Sequence, residues 1–158
     1  MEWKRIWWNG KIIYELNNGT GKVKEYDWKG DLVFEGEYLN GKRNGKGKEY
    51  NYDGNLIFDG EYLNGERWKG KVKKYYSLDN LKFEGEYLNG EISGKGKVYY
   101  NFSGALKFEG EYLNGERNGK GKEYDYFGGL LFEGEYLNGK LIDTYWRRRL
   151  IINTIYFI

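Results

Sequence analysis

The chain has 158 residues, with 26 basic and 24 acidic side chains for a formal net charge of +2, 25 glycines, and no proline, cysteine or histidine. A balance so near neutrality excludes nucleic-acid binding by bulk charge. Without cysteine there are no disulfides or thiolate sites, and any metal would need oxygen ligands alone, for which no calcium-loop pattern is present.

Aromatic residues make up 20 % of the chain, and tyrosine accounts for 17 positions. Mean hydropathy is −0.88, too low for a conventional aliphatic core. Disordered segments are poor in aromatics, so this composition points to a regular structure built from glycine and tyrosine.

In chain order, residues 1–10 form an expected N-terminal cap containing Trp7-Trp8. The opening MEWKRIWWNGKII lacks the apolar core of a signal peptide. Nothing approaches the roughly 20 apolar residues of a membrane-spanning helix, and the expected compartment is the cytoplasm. Residues 11–142 then read as repeats. The first unit is short: Tyr14-Glu15-Leu16-Asn17-Asn18-Gly19 reaches Gly21 early. The string GEYLNG follows at 36, 60, 85, 110 and 134, a period of 24 or 25 residues.

Each full unit opens with alternating residues. Leu56, Phe58, Gly60 and Tyr62 share one face, while Ile57, Asp59, Glu61 and Leu63 share the other, the pattern of a half-buried strand. An Asn-Gly pair follows, and both residues tolerate the positive φ of a tight hairpin turn. The second half, as in Gly45-Lys46-Gly47-Lys48-Glu49-Tyr50, alternates lysine against glycine. The predicted fold is therefore all-β: a single-layer antiparallel meander of about 24-residue hairpins, elongated and curved, capped at both ends. On one face Leu, Phe and Tyr should form ladders, with rings lying over glycines. On the other, Glu35 and Glu37 should lie near Lys46 and Lys48, opposite charges facing each other across strands.

Deviations mark individual units. Val23 and Val72 occupy the second-glycine position, and Trp68-Lys69 lengthens the third linker by one residue. YYNFSG at 99–104 lengthens a return turn. Residues 143–158 contain Arg147-Arg148-Arg149 and a β-branched tail, and are expected to form a C-terminal cap strand.

Residues 34–50, FEGEYLNGKRNGKGKEY, resemble the MORN repeat through Phe34, Gly36, Tyr38, Asn40-Gly41, Gly45, Gly47 and Tyr50. The same pattern recurs at Phe58/Gly60/Tyr62, Phe83/Gly85/Tyr87, Phe108/Gly110/Tyr112 and Phe132/Gly134/Tyr136, and the spacing also looks like the bacterial variant of the repeat. The resemblance implies a scaffold that offers an aromatic face, here Tyr38, Tyr62, Tyr87, Tyr112 and Tyr136, to a protein partner.

No catalytic chemistry is expected. The carboxylates recur identically in each unit, whereas a catalytic pair is a singular site, so the chain reads as a non-enzyme without a cofactor. Specificity is expected where the units differ, at Arg43, Arg67, Trp68, Ile92 and Arg117. Open edge strands could also mediate self-association. The alternative reading is peripheral membrane association, with Arg147, Arg148 and Arg149 and the apolar tail meeting acidic phospholipids.

Overall fold

In a computed structural model the described residues are 3–8, 11–77 and 79–142, with backbone alone for 3–8 and 11–15. They form one 13-stranded antiparallel sheet in sequence order. Its strands are β1 (Trp3–Trp8), β2 (Lys11–Asn17), β3 (Gly21–Tyr26), β4 (Leu32–Leu39), β5 (Lys42–Tyr50), β6 (Leu56–Leu63), β7 (Glu66–Tyr75), β8 (Leu81–Leu88), β9 (Glu91–Tyr99), β10 (Leu106–Leu113), β11 (Glu116–Tyr124), β12 (Leu130–Leu137) and β13 (Lys140–Leu141). The residues expected to cap the N-terminus thus supply β1, which pairs with β2. The expected C-terminal cap strand lies outside the described residues.

Two kinds of turn alternate. Asn-Gly turns close β4–β5 and each equivalent hairpin, with both residues at positive φ (Asn40 53°, Gly41 75°) and the flanking Leu39 paired with Lys42. This is the two-residue turn whose twist matches that of the strands. Five-residue returns sit on the opposite edge. Asp27, Asn51 and Asp125 each turn a side-chain oxygen onto two backbone N–H groups of their own turn; for Asp27 these come from Lys29 at 2.8 Å and Asp31 at 2.9 Å. The Tyr100–Ala105 return is one residue longer, as the sequence predicts, and Ser103 Oγ accepts from the Ala105 N–H instead.

Hairpins are also stitched at the Asn-Gly edge. The Gly65 N–H donates to the Arg43 carbonyl at 2.8 Å, and Gly115 and Gly139 donate to Ile92 and Arg117 in the same way. The longest stitch, Gly90 to Trp68 at 3.5 Å, falls at the third linker. There the pairing slides. Gly70 stands across from Gly60 on one side of β7, while Val72 stands across from Gly85 on the other. The glycine position read as Val72 alone is therefore shared between two residues. Trp68 is the extra residue that absorbs the offset as a bulge.

The core is aromatic. Phe34, Phe58, Phe83, Phe108 and Phe132 are buried, as are Tyr62 and Tyr136. The leucines that open each strand, expected to join the ladder, are only half-buried at 32, 56, 81 and 106 and exposed at 130. The rings take the space over the glycines first. A Cβ on Gly36 would lie 2.6 Å from the Phe34 ring and one on Gly47 2.8 Å from it, so this close packing requires glycine in both strands. Tyr62 meets the Phe34 and Phe58 rings edge-on, each at 5.2 Å between centroids, the geometry that aromatic quadrupoles favour.

Candidate functional site

Four surfaces could carry function: two faces and two edges of turns. On the aromatic face the five tyrosines are largely committed to the fold. Tyr62 and Tyr136 are buried, and Tyr38, Tyr87 and Tyr112 are half-buried against the phenylalanines. Tyr87 donates its hydroxyl to the Gly90 carbonyl of its own turn.

Three of the residues expected to confer specificity belong to internal clamps. Arg43 donates through Nε and Nη2 to the two carboxylate oxygens of Glu25, at 3.0 and 2.7 Å, and Tyr38 donates to the same carboxylate at 2.5 Å. The Arg43 guanidinium also stacks on Phe34 at 4.1 Å. Arg67 makes the related contact on Glu49, with Nε and Nη2 both on the single oxygen Oε2 at 2.9 and 2.8 Å and the Tyr62 phenol donating to that same oxygen. Each arginine thus reaches back to a glutamate of the preceding hairpin and ties neighbours together through a planar, two-point contact.

The pattern then breaks. Ile92 takes the arginine position of the fourth hairpin and packs on the core. Across the next interface Val98 stands beside Phe108 where a glutamate would be needed. Arg117, left without that acid, pairs at 2.5 Å with Glu123 on its own strand and stacks on Phe108 at 3.9 Å. Trp68 differs from the other four, with 40 % of its surface exposed.

Electrostatics follow from these contacts. Burial opposes ionisation of Glu25, but the hydrogen bonds from Arg43 and Tyr38 and the Arg43 charge outweigh it, holding the carboxyl below 4.5. Burial and the bond to Glu25 push the Tyr38 phenol up to about 12. Burial raises Tyr136 to about 12 as well, with the Glu123 charge adding to it.

On the charged face Glu35 stands across from Lys48 as expected, but the bulge after Gly36 takes Glu37 out of register with Lys46, so that Glu37 faces Lys22 and Lys46 faces Glu61 on the neighbouring hairpins. The side chains do more than neutralise one another. Glu37, Glu86 and Glu111 accept the backbone N–H of Lys46, Lys95 and Lys120 at 2.9–3.0 Å, closing the linker bulges. Glu35, Glu84 and Glu109 accept from the phenols of Tyr50, Tyr99 and Tyr124 at 2.6–3.0 Å. Close Lys–Glu contacts among the described residues are Lys24–Glu35 at 3.4 Å and Lys122–Glu133 at 3.2 Å. Over the glycine rows this face encloses a trough of about 990 Å³, running from Lys71 and Lys73 across β8–β11 to Glu133, Glu135 and Ile142. A smaller trough of about 610 Å³ lies over Lys22 to Asp59.

The edges hold residues to which the repeat motif assigns no role. Leu39, Leu63, Leu88, Leu113 and Leu137 make an exposed stripe beside the Asn-Gly turns. Along the opposite edge the returns raise Trp28, Tyr52, Phe102, Tyr126 and Phe127 into solvent. The signal is present in the sequence, since an aromatic follows an Asp or Asn at Asp27, Asn51, Asn101 and Asp125 in these returns. Among the described residues no group of three or more acidic side chains is placed to hold a metal. Arg147, Arg148 and Arg149 lie outside the described residues.

An open meander of stitched hairpins, with phenylalanine rings seated over strand glycines, defines a β-hairpin repeat protein. Three of its segments are MORN repeats: the family model described as MORN repeat matches residues 34–56, 83–101 and 108–126. No curated protein matches the chain.

Proposed function

We propose that the protein is a non-catalytic scaffold whose repeat sheet mediates protein–protein interaction or assembly, acting in the cytoplasm and without a cofactor. MORN repeats are generally associated with scaffolds for protein or membrane interaction. The observation that carries the reading is the larger trough. It crosses successive hairpins and is lined by the same pattern of Glu, Gly and Lys residues at each, among them Glu84, Gly96, Lys97, Glu109 and Lys122. Such a surface suits an extended partner laid across the strands, with alternating charge setting its register. A catalytic site, by contrast, needs a singular constellation.

The test is quantitative affinity capture with mass spectrometry, comparing the native protein with Lys97→Glu/Lys122→Glu and with Trp68→Ala. A partner lost on charge reversal supports the trough. An unchanged partner set with both variants overturns the reading. A second reading, attachment to acidic phospholipids, rests on Arg147-Arg148-Arg149 preceding an apolar tail. Co-sedimentation with anionic vesicles that is lost on removing residues 147–158 would favour it.

A further inference from the structure

The aromatic tips of the return turns lie on one edge of the meander, because every odd-to-even connection from β3–β4 to β11–β12 turns there. Trp28, Tyr52, Phe102, Tyr126 and Phe127 are 76, 74, 85, 46 and 94 % exposed. Side-chain-to-backbone hydrogen bonds hold the turns that carry them. Strands about 4.8 Å apart place successive tips about 10 Å apart. The order is also symmetric. Two aromatic tips precede the Ser77 turn and two follow it.

We propose that this edge is a self-complementary interface, on which a second copy of the chain packs antiparallel about a two-fold axis near Ser77. In that arrangement the Trp28 tip meets the Tyr126/Phe127 tip of the other copy, Tyr52 meets Phe102, and Ser77 meets Ser77. A two-fold interface uses the same patch on both copies, and the register centred on Ser77 lets all four aromatic tips of each copy meet an aromatic tip of the other. Side chains of ~200 Å² at these exposures offer at most about 750 Å² per copy, or about 1,500 Å² in the pair, enough for a stable specific interface when the tips are fully covered. The first tip carries Asp27, Lys29 and Asp31 and the fifth Asp125, so the pairing rests on apolar contact and not on charge. The surface is distinct from the charged trough, so the two readings stand or fall separately.

The chain has no cysteine, which makes a single introduced thiol a clean probe. Sedimentation equilibrium of the native chain should give twice the 18.7 kDa monomer mass, and Phe102→Ser/Phe127→Ser should return it to monomer. Ser77→Cys should oxidise readily to a covalent dimer, whereas Glu116→Cys on the opposite edge should not. A native protein that stays monomeric at 100 µM overturns the proposal. So does a dimer that survives the double substitution, or equal cross-linking at both positions. Capture of a native monomer by neutral phosphatidylcholine vesicles, lost in Phe102→Ser/Phe127→Ser, would reassign the tips to a lipid surface and equally overturn it.

Discussion

At the scale of single residues, the glycines divide into two kinds that one word in the sequence conceals. Gly36 is needed for space: a Cβ there would lie 2.7 Å from Gly47 Cα and from the Lys46 carbonyl oxygen, both backbone atoms that cannot step aside. Gly54 is needed for its φ of +80°, with nothing within 4 Å of the added atom. Gly36→Ala is therefore expected to cost about 1–3 kcal/mol through overpacking, and Gly54→Ala about 1 kcal/mol through backbone strain. Urea unfolding of the two variants compares them, and equal midpoints would contradict the distinction. The tyrosines set an alkaline limit. Tyr38, Tyr99 and Tyr136 hold their protons to about 12 in the fold, against about 10 in the unfolded chain. Between those values the unfolded state binds fewer protons, so stability should fall as pH rises from about 10 to about 12. Circular dichroism followed beside tyrosinate absorbance should show ionisation and unfolding together.

At the scale of the hairpin, the elements that joined neighbours were the least visible beforehand. Strands and Asn-Gly turns were legible because alternation and positive-φ chemistry are local, and a period of 24 or 25 residues repeats that local signal five times. Ring-over-glycine packing was legible for the same reason. The clamps were not, since Arg43 and Glu25 are 18 residues apart and meet only once two hairpins are in register. Nor was the slide at β7, where the linker alone cannot say which neighbour Gly70 will face. Read singly, Arg43, Arg67 and Arg117 look like free cations in polar linkers; read with Glu25, Glu49 and Glu123 they are ties. Arg43→Ala should cost about 1–3 kcal/mol by leaving Glu25 half-buried without its cation. Because the folded Glu25 carboxyl lies below 4.5, its contribution is present above that value and lost as pH falls through the folded one. The variant should accordingly show a shallower decline in stability below pH 4.5, measured by denaturant midpoints across pH. An unaltered acid slope would rule the clamp out as its source.

At the scale of the whole molecule, the sheet is continuous in hydrogen bonding but divided in packing. Phe34, Phe58, Tyr62, Val72 and Phe83 make one buried cluster, and Phe108, Phe132 and Tyr136 make another, with half-buried Val98 and Tyr112 touching both. In a repeat array each unit is held by its neighbours, so damage propagates only as far as the coupling allows. Phe58→Ala should lose amide protection across β4–β8 before β10–β12 responds, as followed by hydrogen exchange with mass spectrometry. Simultaneous loss along all strands would show that the junction at β9 transmits stress as well as any other.

The mismatch around that junction also sets rules for editing the chain. Glu49 seeks an arginine on the hairpin that follows it, and Arg117 has no acid on the hairpin that precedes it. Removing residues 56–105 would join Asn55 to Leu106, keep the return turn intact, and bring Glu49 and Arg117 together as a new matched pair. Removing 81–105 alone would instead set Lys74 against Arg117, two like charges. The longer excision is expected to give the better-folded protein, judged by thermal unfolding of the two shortened chains. The arrangement behaves as a grammar of joints: whole units can be cut or spliced, provided each new seam brings an acid to a base.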